Sequence, residues 1–214
     1  MAGLDLQIAE FLREKKEAGL LRTLRPVSGR HDGRICFKDQ EYIDFSSNDY
    51  LGLSHHPKLI EESKRAIDKF GTASSASRLM SGSLQLHHLL EERLACFKHK
   101  ESALVFNSGY HANIGVISSI YAKKDCIFSD RLNHASIIDG ILLSRARLFR
   151  FQHNDLKHLE ALLKKERSRF RHALIVTESL FSMDGDKPPL KELVCLKEKY
   201  DCQMMADEAH ATGI

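Results

Sequence analysis

The sharpest candidate for chemistry in the 214 residues is MMADEAHATG, residues 204–213. An apolar run closes on Asp207, and His210 follows three residues later. A carboxylate at the end of a buried strand is costly unless it meets a cation. The plainer reading is an aspartate capping the next turn. TESLFSMDGD (177–186) also follows an apolar run and sets Glu178 and Ser182 beside an Asp184-Gly185 turn. The plainer reading there is a solvated loop. In SDRLNHASIIDG (129–140), His134 sits where a helix should start and could cap it, bind phosphate or stack on a ring. In FNSGYHAN (106–113), Ser108 and Gly109 turn the chain into a helix beginning near Tyr110. Free amides at such a start, with the helix dipole, attract anions, although an ordinary cap by Ser108 explains it as well. GTASSASRLMSGS (71–83) is rich in small residues that permit close backbone approach, and alone it reads as a surface loop.

These segments need elements to hold them. From Pro57 onward, helical stretches alternate with short apolar runs. The spacing predicts helices over about 58–69, 84–98, 110–121, 135–145, 155–166 and 189–200, and strands over 102–106, 125–129, 147–151, 173–178 and 202–207. Such alternation implies right-handed crossovers and a mostly parallel sheet, so the fold class is α/β. ALIVTE and CQMMADE read as strands covered on both faces. Ligands of open α/β sheets sit beyond the carboxyl ends of the strands. That rule selects 107–110, 130–134, 178–182 and 207–210. Upstream, 4–18 reads as an amphipathic helix with Leu4, Ile8, Phe11 and Leu12 on one face, 22–34 as polar turns, and ICFKDQEYIDF as a hairpin with a Lys-Asp-Gln turn. We expect an arm over 1–55 and a main α/β domain over 56–214.

Bulk properties narrow the class. Lys and Arg total 32 against 29 acidic residues, a net charge of +3, which argues against nucleic acid as a partner. The 12 histidines are scattered, and no Cys-x-x-Cys or His-x-x-x-His pair points to a metal site. Five irregularly spaced cysteines read as reduced thiols. No apolar run is long enough to span a membrane. A cytoplasmic enzyme is the expectation.

SSNDYLGLSHHP, SASRLMSGS, LVFNSGYHAN, SDRLNHASIIDG, RFQHNDLKHLE, TESLFSMDGDKPPL and DEAHATG occur in this order from Asn48 to the last residue. Together they resemble the α-oxoamine synthase family of fold-type I pyridoxal 5'-phosphate enzymes, a branch of the class-II pyridoxal-phosphate-dependent aminotransferases. The resemblance implies that Ser108, Gly109 and Tyr110 form the phosphate-binding turn and that His134 stacks over the cofactor ring and helps hold the substrate carboxylate. It further implies that Asp207 pairs with the pyridine nitrogen, that His210 and Ser182 lie near the phenolic oxygen, and that Glu178 supports the histidine. Arg22 and Asn48 match substrate positions. The implied catalytic residues are His134, Asp207 and His210.

The implied reaction is a decarboxylative condensation of an amino acid with an acyl thioester on coenzyme A or acyl-carrier protein. FNSGYHAN, QHND and DEAHATG favour L-alanine with a pimeloyl thioester. LNHASIIDG also suits glycine with acetyl-CoA. Family members are homodimers. The family's Schiff-base lysine and small C-terminal domain follow DEAHATG, so with the sequence ending at Ile214 the expectation is a fragment inactive by itself, or a non-catalytic partner subunit. Lys187 and Lys191 read as solvated, and the last strand as an unprotected edge.

Overall fold

The computed structural model describes residues 2–214, which divide into two compact units, the first ending at Lys64 and the second running from Arg65 to Ile214. The first unit holds helix α1 (Ala2–Glu17) and a three-stranded antiparallel sheet of β1 (Gly29–His31), β2 (Arg34–Phe37) and β3 (Gln40–Ile43). Two-residue turns join the strands. Asp32-Gly33 and Lys38-Asp39 both have positive φ, from 47° to 72°, the geometry whose twist matches paired strands. The β2–β3 hairpin follows the expected pattern. Strand β1 lies where polar turns were expected, because an Asp-Gly turn, rather than apolar alternation, folds it onto β2. Helix α2 (Pro57–Phe70) runs across the division between the units.

The second unit carries the parallel sheet. Its elements are α3 (Gln85–Phe97), α4 (Gly109–Ile120), β4 (Cys126–Asp130), α5 (Ala135–Ser144), β5 (Arg147–Phe151), α6 (Leu156–Glu166), β6 (Ala173–Glu178), α7 (Leu190–Lys199) and β7 (Gln203–Asp207). The strand order is β5-β4-β6-β7, every pair parallel. Each strand falls within a residue of its expected position, except 102–106. That segment forms no strand. Its backbone is held by side chains instead: Val105 N–H donates to Glu91 at 2.8 Å, and Arg78 donates to the Val105 carbonyl at 3.3 Å.

Strand order decides where helices lie. The chain leaves β4 for β5 on one side, then passes back over β4 to β6 and on to β7. Right-handed crossovers in opposite directions put helices on opposite faces. Accordingly Ile117, Ile127, Ile137, Ile141, Leu174 and Val176 pack one core, from α4, α5, β4 and β6. Phe128, Phe151, Leu159, Leu163, Ile175 and Leu193 pack the other, beneath α6 and α7. Every residue of β4 and β6 is buried, as continuous apolar runs require. Strand β7 departs from that expectation. It is only partly covered, because it is an edge of the sheet.

The change of direction makes the crevice between the carboxyl ends of β4 and β6 the switch point of the sheet. Helix α4 is brought against it by Gly140 of α5. A Cβ there would lie 3.0 Å from the Asn113 carbonyl and 3.2 Å from Ile117 Cβ, so only glycine allows the two helices to approach this closely.

Candidate active site

A cavity of about 110 Å³ opens at this switch point, lined by Gly109, Tyr110, Asn113, His134, Ser136, Glu178, Asp207, Ala209 and His210. Six of the ten residues selected from sequence meet there: Gly109, Tyr110, His134, Glu178, Asp207 and His210. Each lies at or just beyond a strand end or helix start, which is why the alternating pattern found them.

Glu178 and Asp207 are the last residues of β6 and β7 and are direct register partners. Their carboxylates therefore share one end of the sheet. The Glu178 carboxylate accepts the His134 N–H at 2.7 Å, which anchors the β4–α5 turn to β6. Burial raises the Glu178 carboxyl above its ordinary range. The His134 N–H opposes the shift and the charge of Asp207 adds to it. Asp207 accepts the Asn113 side-chain amide at 2.8 Å on one oxygen and the Ala209 N–H at 2.9 Å on the other. No lysine or arginine is among the described residues that line the cavity. Two adjacent carboxylates facing only imidazoles and amides would be stabilised by a cationic group on a ligand.

His134 caps α5. Its Nδ1 accepts the Ser136 N–H at 3.2 Å and lies 2.7 Å from the Ser136 hydroxyl. The Tyr110 ring meets it edge-on, centroids 6.5 Å apart. The Tyr110 hydroxyl donates to Asp139, an interaction that also raises the phenol's pKa. Ser108 caps α4, its hydroxyl accepting the His111 N–H at 3.2 Å, while the first-turn amides at Gly109 and Tyr110 remain outside the helical ladder. An added Cβ at Gly109 meets nothing within 4 Å, so the space beside this helix start is open. An anion fits there, and a planar ring bearing a protonated nitrogen fits the acidic end.

The other selected residues lie elsewhere. Ser108 is adjacent to the cavity as a cap but does not line it. Ser182 is exposed in the loop after β6. Arg22 and Asn48 belong to the first unit, where Asn48 accepts the Tyr50 hydroxyl at 3.4 Å. Lys187 and Lys191 are exposed, as expected. Sequence reasoning missed Asn113 and Ser136. The available signal was an asparagine in phase with Ile117 on the apolar stripe of α4, both now buried. A larger cavity of about 840 Å³ is lined by Arg78, Leu104 and Phe106, but Glu91 already pairs the Arg78 guanidinium at 2.6 Å, so its charge is satisfied within the protein.

The fold corresponds to a known class. A family model, aminotransferase class I and II, matches residues 40–214, and the chain belongs to that family. It is 51% identical to the 8-amino-7-oxononanoate synthase of Geotalea daltonii over 96% of this chain and 52% identical to that of Geobacter sulfurreducens over 97%. These alignments cover 52% and 53% of the relatives, so the chain spans about half the length of the curated relatives it matches. Among solved structures, a serine palmitoyltransferase from S. paucimobilis, solved with PLP bound, superposes with a TM-score of 0.83 at 30% identity, covering 97% of this chain and 52% of that one. The 8-amino-7-oxononanoate synthase of Francisella tularensis does so with 0.63 at 31%, covering 77% and 44%.

Proposed function

We propose that this chain forms the pyridoxal 5'-phosphate cradle of an enzyme that condenses L-alanine with a pimeloyl thioester, releasing the carrier thiol and carbon dioxide and giving 8-amino-7-oxononanoate for biotin synthesis. The observation that carries the reading is the cavity at the switch point. It joins an amide-lined helix start, a histidine clamp and an acidic pair, with no lysine or arginine among the described lining residues. The identity of about 50% to synthases of that name supports the substrate choice.

When bound, pyridoxal phosphate supplies an electron sink for the carbon that bears the substrate amine. Asp207 holds a proton on the ring nitrogen, its carboxylate already oriented by Asn113 and Ala209. The amides of Gly109 and Tyr110, next to Ser108, receive the phosphate at the positive end of α4. His134 covers the ring face and holds the substrate carboxylate, and Glu178 fixes the backbone that carries it. His210, which lines the cavity, would lie near the phenolic oxygen, while Ser182, exposed in the loop after β6, is assigned there on family position alone. Arg22 and Asn48 are assigned to the substrate on family position alone. The enzyme works as a cytoplasmic homodimer, with the acyl group on coenzyme A or acyl-carrier protein.

The test uses the full-length protein with two substrate pairs. Carbon dioxide release with L-alanine and pimeloyl thioester is expected, on either carrier. Turnover only with glycine and acetyl-CoA would move the assignment to a glycine C-acetyltransferase. Failure to bind pyridoxal phosphate would end the reading.

A further inference from the structure

Asn113 of α4 is 6% exposed and contacts two groups of the cavity through one nitrogen. Its side-chain amide donates to Asp207 Oδ2 at 2.8 Å and to the Ser136 hydroxyl at 2.9 Å. An ionised carboxylate can only accept, so the NH₂ end must face Asp207, and its two hydrogens serve one acceptor each. The Ser136 N–H can only donate, so His134 Nδ1 is an acceptor; the fully buried Ser136 hydroxyl, 2.7 Å from Nδ1, then donates to it as well and keeps its lone pairs for the Asn113 amide. With two donors converging on Nδ1, the ring proton of the neutral imidazole resides on Nε2.

We infer that Asn113 is a positioning residue that sets two functional groups with one amide: the orientation of the Asp207 carboxylate, and, through the Ser136 hydroxyl, the Nε2–H tautomer of His134. The cofactor half of this inference rests on the proposed pyridoxal-phosphate reading; the tautomer half does not. The close approach of α4 and α5 at Gly140 supplies the geometry, since it brings Asn113 within reach of Ser136, one turn earlier on α5. A directed proton on Nε2 gives the clamp a fixed donor for a substrate carboxylate. A fixed Asp207 keeps its free lone pairs aimed where a ring nitrogen would lie.

The experiment compares full-length wild type, Asn113→Ala and Ser136→Thr. Imidazole ¹⁵N shifts of histidine-labelled, cofactor-free protein report the His134 tautomer, the peak being assigned by its loss in His134→Asn. Pyridoxal phosphate itself is titrated in parallel. Wild type should show a single Nε2–H tautomer, and Ser136→Thr should retain it because the hydroxyl remains. Asn113→Ala should show both tautomers and bind pyridoxal phosphate about tenfold to a hundredfold more weakly, the usual range for losing a hydrogen bond to a charged group. An unchanged tautomer in Asn113→Ala, or cofactor affinity within twofold of wild type, overturns the inference. If that variant does not fold, Asn113→Val fills more of the site without a hydrogen-bond donor, and the same criteria apply. Wild type that binds no cofactor removes the functional reading, and the tautomer then decides this inference alone.

Discussion

Two acidic groups stand at the carboxyl end of the same sheet and are treated in opposite ways. At the β4–β5 end, Asp130 is fully buried yet accepts the Leu132 N–H at 2.9 Å, the Asn154 N–H at 3.0 Å and His153 Nδ1 at 2.9 Å. The other nitrogen of His153 donates to Asp186 at 2.8 Å. Burial would lower the His153 pKa, but hydrogen bonds to Asp130 and Asp186 outweigh it and the net shift is upward. His153 thereby joins the loops after β4, β5 and β6, and the Asn154 side-chain amide adds a donor to Asp186 at 2.7 Å. At the β6–β7 end, Glu178 and Asp207 face each other across a register pair, and the Glu178 carboxyl is pushed up. The first network supplies its own cation and so is structural. The second has no lysine or arginine among the described lining residues, and the imidazoles of His134 and His210 offset only part of the upward shift of Glu178, a balance that a cationic ligand would relieve.

The largest expected effect breaks the second group. Asp207→Asn in the full-length enzyme removes the anion opposite the ring nitrogen. Turnover should fall by roughly 10²–10³ or more, the scale of losing one preorganised charge. Folding stability should fall by only about 1 kcal/mol, because the new amide faces the Asn113 amide across a former hydrogen bond. Steady-state kinetics and urea unfolding measure the two. Retained turnover would mean that both acidic ends are structural.

The reverse is expected at the first group. His153→Leu leaves buried Asp130 facing Asp186 without its cation. Breaking such a pair from one side costs about 2–3 kcal/mol, below the roughly 3–5 kcal/mol of a fully buried pair because His153 is partly exposed. The sign with pH follows from the raised imidazole. Its contribution is fully present below the ordinary value of 6.5 and is lost as pH rises through the higher folded value. The stability gap between wild type and variant, read by urea unfolding, should therefore narrow from pH 6 upward. A gap independent of pH would show that packing against Phe181, not charge, holds His153.

What could be read in advance divides along the same physical lines. Strand β6 was legible because burial on both faces leaves an uninterrupted apolar run, and its terminal glutamate then marks the strand end. Asp207 and His134 were legible because topology places strand ends and helix starts at one edge of the sheet. LVF at 104–106 misled, since an apolar run reads as a strand while its backbone partners, Arg78 and Glu91, are distant in sequence. Strand β1 was hidden because GRH carries no apolar alternation. Asn113 and Ser136 were hidden for a further reason. A buried polar side chain is informative only together with its partner, and a pairing 23 or 94 residues away leaves no local trace.

The smallest expected effect sharpens the comparison most, because its sign is unusual. Glu178 has a raised folded pKa, so the folded chain binds more protons than the unfolded chain between the ordinary value of 4.5 and the raised one. Stability then falls as pH rises through that window, and at pH 7 the ionised carboxylate is a net cost. Glu178→Gln keeps an oxygen to accept the His134 N–H and removes both the desolvated charge and its repulsion from Asp207. The variant should be more stable than wild type by up to about 1 kcal/mol at pH 7. The gain should vanish as pH falls toward 4.5, when wild type carries the proton itself. Thermal unfolding between pH 4.5 and 8 measures it. A variant less stable than wild type throughout would show that the carboxylate is satisfied by the protein. The β6–β7 end would then resemble the His153 network and offer no vacancy for a cation.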